Sequence, residues 1–130
     1  MSVIFRRLNL LTGLLSFGCF IYTGIYLVNK SYIKDDYWHM SARSNHIYLL
    51  MISLINLLFY KIENNKSSLL DKISNIIVSL SAILCCFGFF RETGEKIENR
   101  MLVPMSVGLV FFGVILKLII PSENKNKKME

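Results

Sequence analysis

The sequence predicts an all-α integral membrane protein, folded as an up-down-up-down four-helix bundle with its N- and C-terminal segments in the cytoplasm. The chain has 130 residues, of which 53% are hydrophobic and 18% are charged, and its mean hydropathy is +0.46. Soluble domains are about 45–50% apolar and about 25% charged. The apolar residues fall in four long runs. Residues 1–130 are therefore predicted to form a single membrane domain.

Four apolar runs are the predicted transmembrane helices. Their approximate bounds are residues 8–28, 43–60, 73–90 and 101–120. A spanning helix needs about 20 mainly apolar residues, whereas a membrane barrel needs shorter segments of alternating polarity. The second run is the shortest, and its extension to Arg43 places that side chain in the first turn at the membrane surface. The short connections favour antiparallel neighbours.

The segments at the two ends of the chain differ in composition from the apolar runs between them. Arg6 and Arg7 precede the first apolar run in the manner of a signal peptide. That run is longer than the 7–15 apolar residues of a signal peptide, so we expect it to be retained as a helix. Residues 121–130 form a polar, lysine-rich tail, which we expect to be solvated.

The distribution of lysine and arginine predicts the orientation, because cytoplasmic loops carry the larger share of these residues. Nine of them lie on the side that holds both terminal segments and the second loop, and six lie on the other side. The first side is therefore predicted to be cytoplasmic. Tyr32, Tyr37 and Trp38 then fall at the outer interface, where aromatic rings anchor. The net charge of +6 is explained by the basic residues at the helix ends, which orient a membrane protein. No nucleic-acid partner is expected.

Polar and small residues form one stripe along each predicted helix, at the spacing of a helical face. Such stripes turn inward in lipid, where the helices touch. The helix directions bring one set of polar side chains to the cytoplasmic half, and we expect these to form an inner polar network. Its candidate members are Asn9, Asn56, Asn75 and Lys117. The alternative for Lys117 is that its ammonium extends to the headgroups.

A second group of polar residues gathers at the predicted outer side. Its candidate members are Arg43, His46, Glu92, Glu95 and Arg100. Ionisable groups at membrane depth are expensive and usually paired, so we expect an ion pair of Arg43 with Glu92 or Glu95. The alternatives are a binding or catalytic site and solvated loop charges.

Spacing gives little support to metal or cofactor chemistry, and we predict no metal site and no cofactor. His39 and His46 are about 10 Å apart along one helix, so the two cannot sandwich a haem. A single haem ligand from His46 stays open. Cys85 and Cys86 are adjacent in one helix, point in different directions and are expected to behave as small hydrophobic residues. We expect no enzyme activity.

Several short motifs carry a resemblance to a known group of proteins. The run from Arg43 to Leu50, followed by Asn56, resembles a run in small bacterial membrane proteins of four helices, to which no function is assigned. Two later motifs, residues 90–92 and 98–100, are similar to the third loop of those proteins. The resemblance implies a multi-pass protein of the bacterial cytoplasmic membrane.

Four spans with short loops leave no soluble domain in which to build a site. We therefore expect an accessory or scaffolding subunit of a membrane complex, whose partners are the lipid bilayer and either a larger membrane protein or further copies of itself. The first alternative is an oligomeric carrier of a small molecule or ion that uses the outer cluster. The second is a membrane haem or redox protein.

Overall fold

A computed structural model describes residues 2–30, 36–62 and 69–119 of the chain. These residues form an all-α fold. The four helices are α1 (Ser2–Asn29), α2 (Asp36–Lys61), α3 (Leu69–Glu92) and α4 (Leu102–Ile119), with a short 3₁₀ turn at Ile97–Asn99. The sequence-predicted tail 121–130 and Tyr32 lie outside the described residues.

The first three helices extend beyond the apolar runs that predicted them. An acidic residue lies in the first turn of α2 and of α3, namely Asp36 and Asp71, and a basic residue lies in the last turn of each of α2, α3 and α4. This placement complements the helix dipole, so these charges stabilise helical turns that lie beyond the apolar segment. Pro104 lies in the first turn of α4, where its missing amide costs little.

Consecutive helices make the most extensive contacts, α1 with α2 and α3 with α4. The α2 and α3 helices also pack directly on each other, whereas α4 touches α2 lightly. Contacts run in opposite sequence order along α1 and α2, because Thr12 meets Asn56 and Thr23 meets His46. Helices α1 and α4 therefore flank a central α2–α3 pair.

The buried apolar core is small. It contains Leu49, Ile52, Ala82, Cys85, Phe89 and Val110. Polar residues fill much of the remaining interior. Some, such as Asn9 and Asn56, come from the predicted inward stripes, whereas Asp71 and Ser79 do not. Large apolar side chains instead cover the outside of all four helices, as Leu15, Leu58 and Phe87 illustrate. This arrangement is the reverse of a soluble bundle, whose outer surface is polar.

Three helices are long and apolar enough to cross a membrane, namely α1, α3 and α4. The α2 helix is long enough, but its hydropathy is lowered by polar residues such as Asn45 and Asn56. Both of these side chains are buried against other helices. The outer face of α2 carries Ile47, Leu54 and Leu58, which are all exposed. The polarity of α2 is therefore directed into the protein.

Candidate functional site

The interior contains a buried group of three hydrogen-bonded side chains between α1 and α3, namely Asn9, Asn75 and Ser79, called here the amide triad. Asn9 Nδ2 donates to Asn75 Oδ1 at 2.5 Å, and Ser79 Oγ donates to Asn9 Oδ1 at 2.6 Å. Asn75 Nδ2 in turn donates to the carbonyl of Asp71 at 2.7 Å. Asn9 is fully buried. Asn75 and Ser79 are one helical turn apart and so share a face of α3, and that face meets Asn9 on the inward stripe of α1.

A second buried contact joins α2 to both of its neighbours. Thr12 Oγ1 donates to Asn56 Oδ1 at 3.0 Å, and Asn56 Nδ2 donates to the carbonyl of Val78 at 3.2 Å. Asn56 is fully buried. A single amide thus links α1, α2 and α3 at one level of the bundle.

An ion pair between Lys117 and Asp71 joins α4 to α3. The Lys117 ammonium contacts Asp71 Oδ1, and each side chain is only 7% exposed. The ammonium also lies 5.5 Å from the centre of the Phe59 ring on α2. Near this pair, Ser74 Oγ donates to the carbonyl of Gly113 at 2.7 Å. The lysine is therefore fixed to a carboxylate inside the bundle.

Of the four candidates for the inner network, the structure brings Asn9 and Asn75 into direct contact. Asn56 lies in the adjacent contact described above, and Lys117 lies with Asp71 at the same end of the bundle. Sequence reasoning missed Asp71 because the third span was started at residue 73. The signal was present, since Asp71 precedes Asn75 by one helical turn and so shares its face.

Glu92 lies at the end of α3 and accepts hydrogen bonds from the start of α4. Its Oε1 accepts from the amides of Met101 and Leu102 at 2.7 and 2.5 Å, and its Oε2 accepts from the amide of Val103 at 2.9 Å. The first amides of a helix have no partner within that helix. Glu92 thus supplies both the missing acceptors and a negative charge at the positive end of the α4 dipole.

Close helix packing makes this contact possible. A Cβ placed on Gly88 would lie 2.7 Å from Val103 Cγ2 and 3.2 Å from the Val103 amide nitrogen. No larger residue fits at Gly88 without movement of α4. The glycine therefore lets the first turn of α4 approach the end of α3, where Glu92 meets it.

The α3–α4 connection is held against the start of α2. The Arg100 guanidinium donates to Ser41 Oγ, and Arg100 Nε donates to the carbonyl of Glu95 at 2.8 Å. Tyr37 donates its hydroxyl to the same carbonyl at 2.9 Å. Gly94 has a φ of +89°, and a Cβ there would lie 2.6 Å from Trp38 Cδ1. Its backbone therefore favours glycine both by conformation and by space.

His46 lies in a different environment, between α1 and α2. Its Nδ1 shares a 2.9 Å hydrogen bond with Thr23 Oγ1, and its ring stacks on Phe20 with centres 4.2 Å apart. A Cβ on Gly24 would lie 3.3 Å from His46 Cε1. The imidazole is thus packed against α1, and its contacts are those of a structural residue.

The five residues of the outer cluster do not converge on one site. Glu92 binds the start of α4, Arg100 binds Ser41, and His46 faces α1. Arg43 is exposed and lies beside His39 on another side of α2. The structure pairs Glu92 with backbone amides of α4, and the ion pair of Arg43 with Glu92 or Glu95 stays a prediction. The sequence prediction took only charged side chains as partners for Glu92. In the structure, both of its carboxylate oxygens accept hydrogen bonds from backbone amides.

The three cysteines are free and come from two helices. Cys19 on α1 and Cys86 on α3 both pack against the buried apolar core, which brings the two thiols into the same region of the α1–α3 interface. Sequence reasoning had weighed only the adjacent Cys85 and Cys86, which share a helix. The part of the chain that the structure describes has no group of three or more histidine, cysteine or acidic side chains that could hold a metal ion.

Comparisons with known proteins do not assign this chain to a family or a fold. Searches with protein-family models, against curated proteins and against solved structures find no match to this chain. The geometry of the residues described above therefore carries the functional argument.

Proposed function

We propose that the protein crosses a bacterial cytoplasmic membrane four times, as an up-down-up-down bundle with both terminal segments in the cytoplasm, and acts there as an accessory or scaffolding subunit of a membrane complex. Three helices meet the length and hydropathy of a span. The fourth, α2, has an apolar outer face and buries its polar groups. Average hydropathy counts those groups against α2 although they do not meet lipid.

One observation carries the proposal of a structural role. Among the described residues, every buried side-chain nitrogen and oxygen has a hydrogen-bond partner. A carrier needs polar groups that a substrate can satisfy, and an intramembrane site usually leaves ionisable groups facing a cavity. Here the asparagines, Lys117 and Glu92 are already satisfied by the protein. The interior therefore has the character of a scaffold.

The flanking helices supply a surface for partners. Only 22% of the most apolar stretch of α1 and 28% of that of α4 are buried, against 50% for α3. Both flanking helices thus present most of their circumference outward, to lipid or to another membrane protein. An accessory subunit that binds through α1 or α4 would need no change in the polar interior.

A reporter fused at residue 64 tests the topology most directly. With four spans, residue 64 is cytoplasmic, so a fused green fluorescent protein fluoresces and a fused alkaline phosphatase is inactive. With α2 lying on the outer surface, both results are reversed. Fusions at residue 34 provide the control, because both arrangements place that residue outside.

Photo-crosslinking tests the accessory role. A photoreactive phenylalanine at Leu15, which is 64% exposed, is expected to crosslink to a second membrane protein when the chain is expressed at its native level. The same probe at the fully buried Leu49 should crosslink only within the chain. Crosslinks from Leu15 to lipid alone, together with a monomer by native mass spectrometry, would contradict the proposal.

A further inference from the structure

A shallow groove lies at the predicted outer end of the α1–α2 pair, and its lining residues take no part in the buried polar contacts described above. One depression of about 400 Å³ is lined by Asp36, His39, Met40 and Arg43. A second of about 310 Å³ is lined by Leu27, Val28, His39 and Arg43. The two share His39 and Arg43. Together they form one groove with a polar floor on α2 and an apolar wall on the end of α1.

The groove follows the outward face of α2. Asp36, Met40, Arg43 and Ile47 recur at spacings of four, three and four residues, which places them on one helical face. All four are exposed. Asp36 and Arg43 have no hydrogen-bond or ion-pair partner among the described residues, in contrast to the satisfied interior. An arginine on a face that continues into Ile47 and Leu54 needs its counter-charge from outside the chain.

We propose that this groove binds the headgroup of a phospholipid with a primary ammonium, of the phosphatidylethanolamine class, with the phosphate on Arg43 and the ammonium on Asp36. The inference rests on the membrane insertion of α2 proposed above, and it adds a specific lipid ligand. A guanidinium matches phosphate oxygens in charge and geometry. A carboxylate is the complementary acceptor for an ammonium group.

The order of the groups along α2 matches the order of groups in such a lipid. Asp36 begins the helix, Arg43 lies seven residues further into the membrane, and the exposed Ile47 follows. Seven residues correspond to about 10.5 Å of rise, a span that the two side chains and an ethanolamine phosphate fill together. In the lipid the ammonium is outermost, the phosphate is next and the acyl chains lie below. The apolar wall at Leu27 and Val28 continues in the same direction.

The pair of charges also determines which lipids are disfavoured. A lipid with an anionic headgroup gains from Arg43 but is repelled by Asp36. A phosphatidylcholine keeps the positive charge, but its quaternary nitrogen has no N–H to donate to the Asp36 carboxylate. Selectivity for a primary ammonium is therefore assigned to Asp36, and affinity for any phospholipid phosphate is assigned to Arg43.

Native mass spectrometry of the purified full chain tests this assignment. The protein in detergent is offered equal amounts of phosphatidylethanolamine, phosphatidylcholine and phosphatidylglycerol with identical acyl chains. We expect about a fivefold preference for phosphatidylethanolamine, the size that one solvent-exposed hydrogen bond supplies. Asp36→Asn should remove the preference over phosphatidylcholine, and Arg43→Gln should weaken the binding of all three lipids.

Two matched variants control for charge alone. Arg91→Gln and Glu98→Gln neutralise exposed residues on the same predicted side of the membrane, and they should leave lipid binding unchanged. Soluble glycerophosphoethanolamine should not bind at the lipid concentration, because the apolar wall has nothing to contact. Each variant should remain folded, because all four side chains are exposed and Asp36→Asn and Arg91→Gln remove only a small helix-dipole contribution.

Three results would overturn the assignment. They are equal binding of the three lipids, strongest binding of phosphatidylglycerol, and a preference that survives Asp36→Asn. Binding of the soluble headgroup as strongly as the lipid would contradict a lipid ligand. Each can occur in a chain whose residue 64 reporter shows four spans, so failure of this proposal is distinguishable from failure of the topology.

Discussion

Replacement of Lys117 by methionine should destabilise the protein strongly. The ammonium pairs with Asp71, and each side chain is 7% exposed. Removal of one partner leaves the other charge buried and uncompensated, which costs about 3–5 kcal/mol. The loss of the ammonium over the Phe59 ring, 5.5 Å from its centre, adds about 0.5–2 kcal/mol. We expect Lys117→Met to lower the free energy of unfolding by about 4 kcal/mol.

The double variant separates pairing from burial. A buried ion pair that is replaced by neutral residues often leaves stability unchanged or raises it, by about 1–4 kcal/mol. Lys117→Met with Asp71→Asn should therefore regain most of what Lys117→Met alone loses. The two changes should therefore be strongly non-additive, with a coupling energy at least as large as the stability that the double variant regains.

Unfolding in mixed micelles with increasing dodecyl sulfate measures these differences. Trp38 is the only tryptophan of the chain, and it packs against Gly94 and Tyr26, so its fluorescence reports on the assembled outer end. Lys61→Met is the control, because Lys61 is an exposed lysine at the end of α2 and its loss should cost no more than the helix-dipole contribution of about 1 kcal/mol. If Lys117→Met unfolds at the parent's detergent fraction and the double variant gains nothing, the pair is absent and Lys117 extends to the headgroups.

Three further variants test other contacts. Glu92→Ala should cost about 1–3 kcal/mol in the same unfolding assay, because it leaves the first amides of α4 without acceptors, whereas Glu95→Ala should be neutral because Glu95 contributes only backbone groups. Asn9→Leu should cost about 1–2 kcal/mol, since two interhelical hydrogen bonds at about 0.6 kcal/mol each are lost; an unchanged midpoint would contradict the amide triad. Mild oxidation should link Cys19 to Cys86 within one chain, detected as faster migration in non-reducing gels, and Cys86→Ala should abolish that species; a parent chain that stays unlinked, or a band that persists in Cys86→Ala, would contradict this α1–α3 pairing.

Hydrophobic periodicity was sufficient to predict the four helices and many of the residues that lie inside. Asn9, Asn56 and Ser74, which the stripes and their depth placed inside, are buried in the structure. This part of the fold follows from the sequence because lipid makes polar groups face other helices. The positions of the helix ends could not be predicted in this way. The predicted helices end where charged residues begin, whereas such charges stabilise the terminal turns of a helix.

The site contacts that were missed have the same origin. Asp71 was assigned to a loop when the third span was started at residue 73, so Lys117 had no visible partner. Glu92 was treated as a counter-charge for Arg43, because a sequence shows which side chains are charged and does not show where backbone amides are unpaired. Recognition of Glu92 as the acceptor at the start of α4 required the approach that Gly88 allows.

The central position of α2 and α3 has a consequence for how the chain is made in a cell. The α1–α2 and α3–α4 contacts are the most extensive in the fold, so each pair can assemble as its second helix leaves the ribosome. The hydrogen bonds of Asn9 with Asn75 and Ser79 cross between the two pairs. Biogenesis would then end with the second pair docking on the first, and two halves separated within residues 63–68 should reassemble when they are produced together.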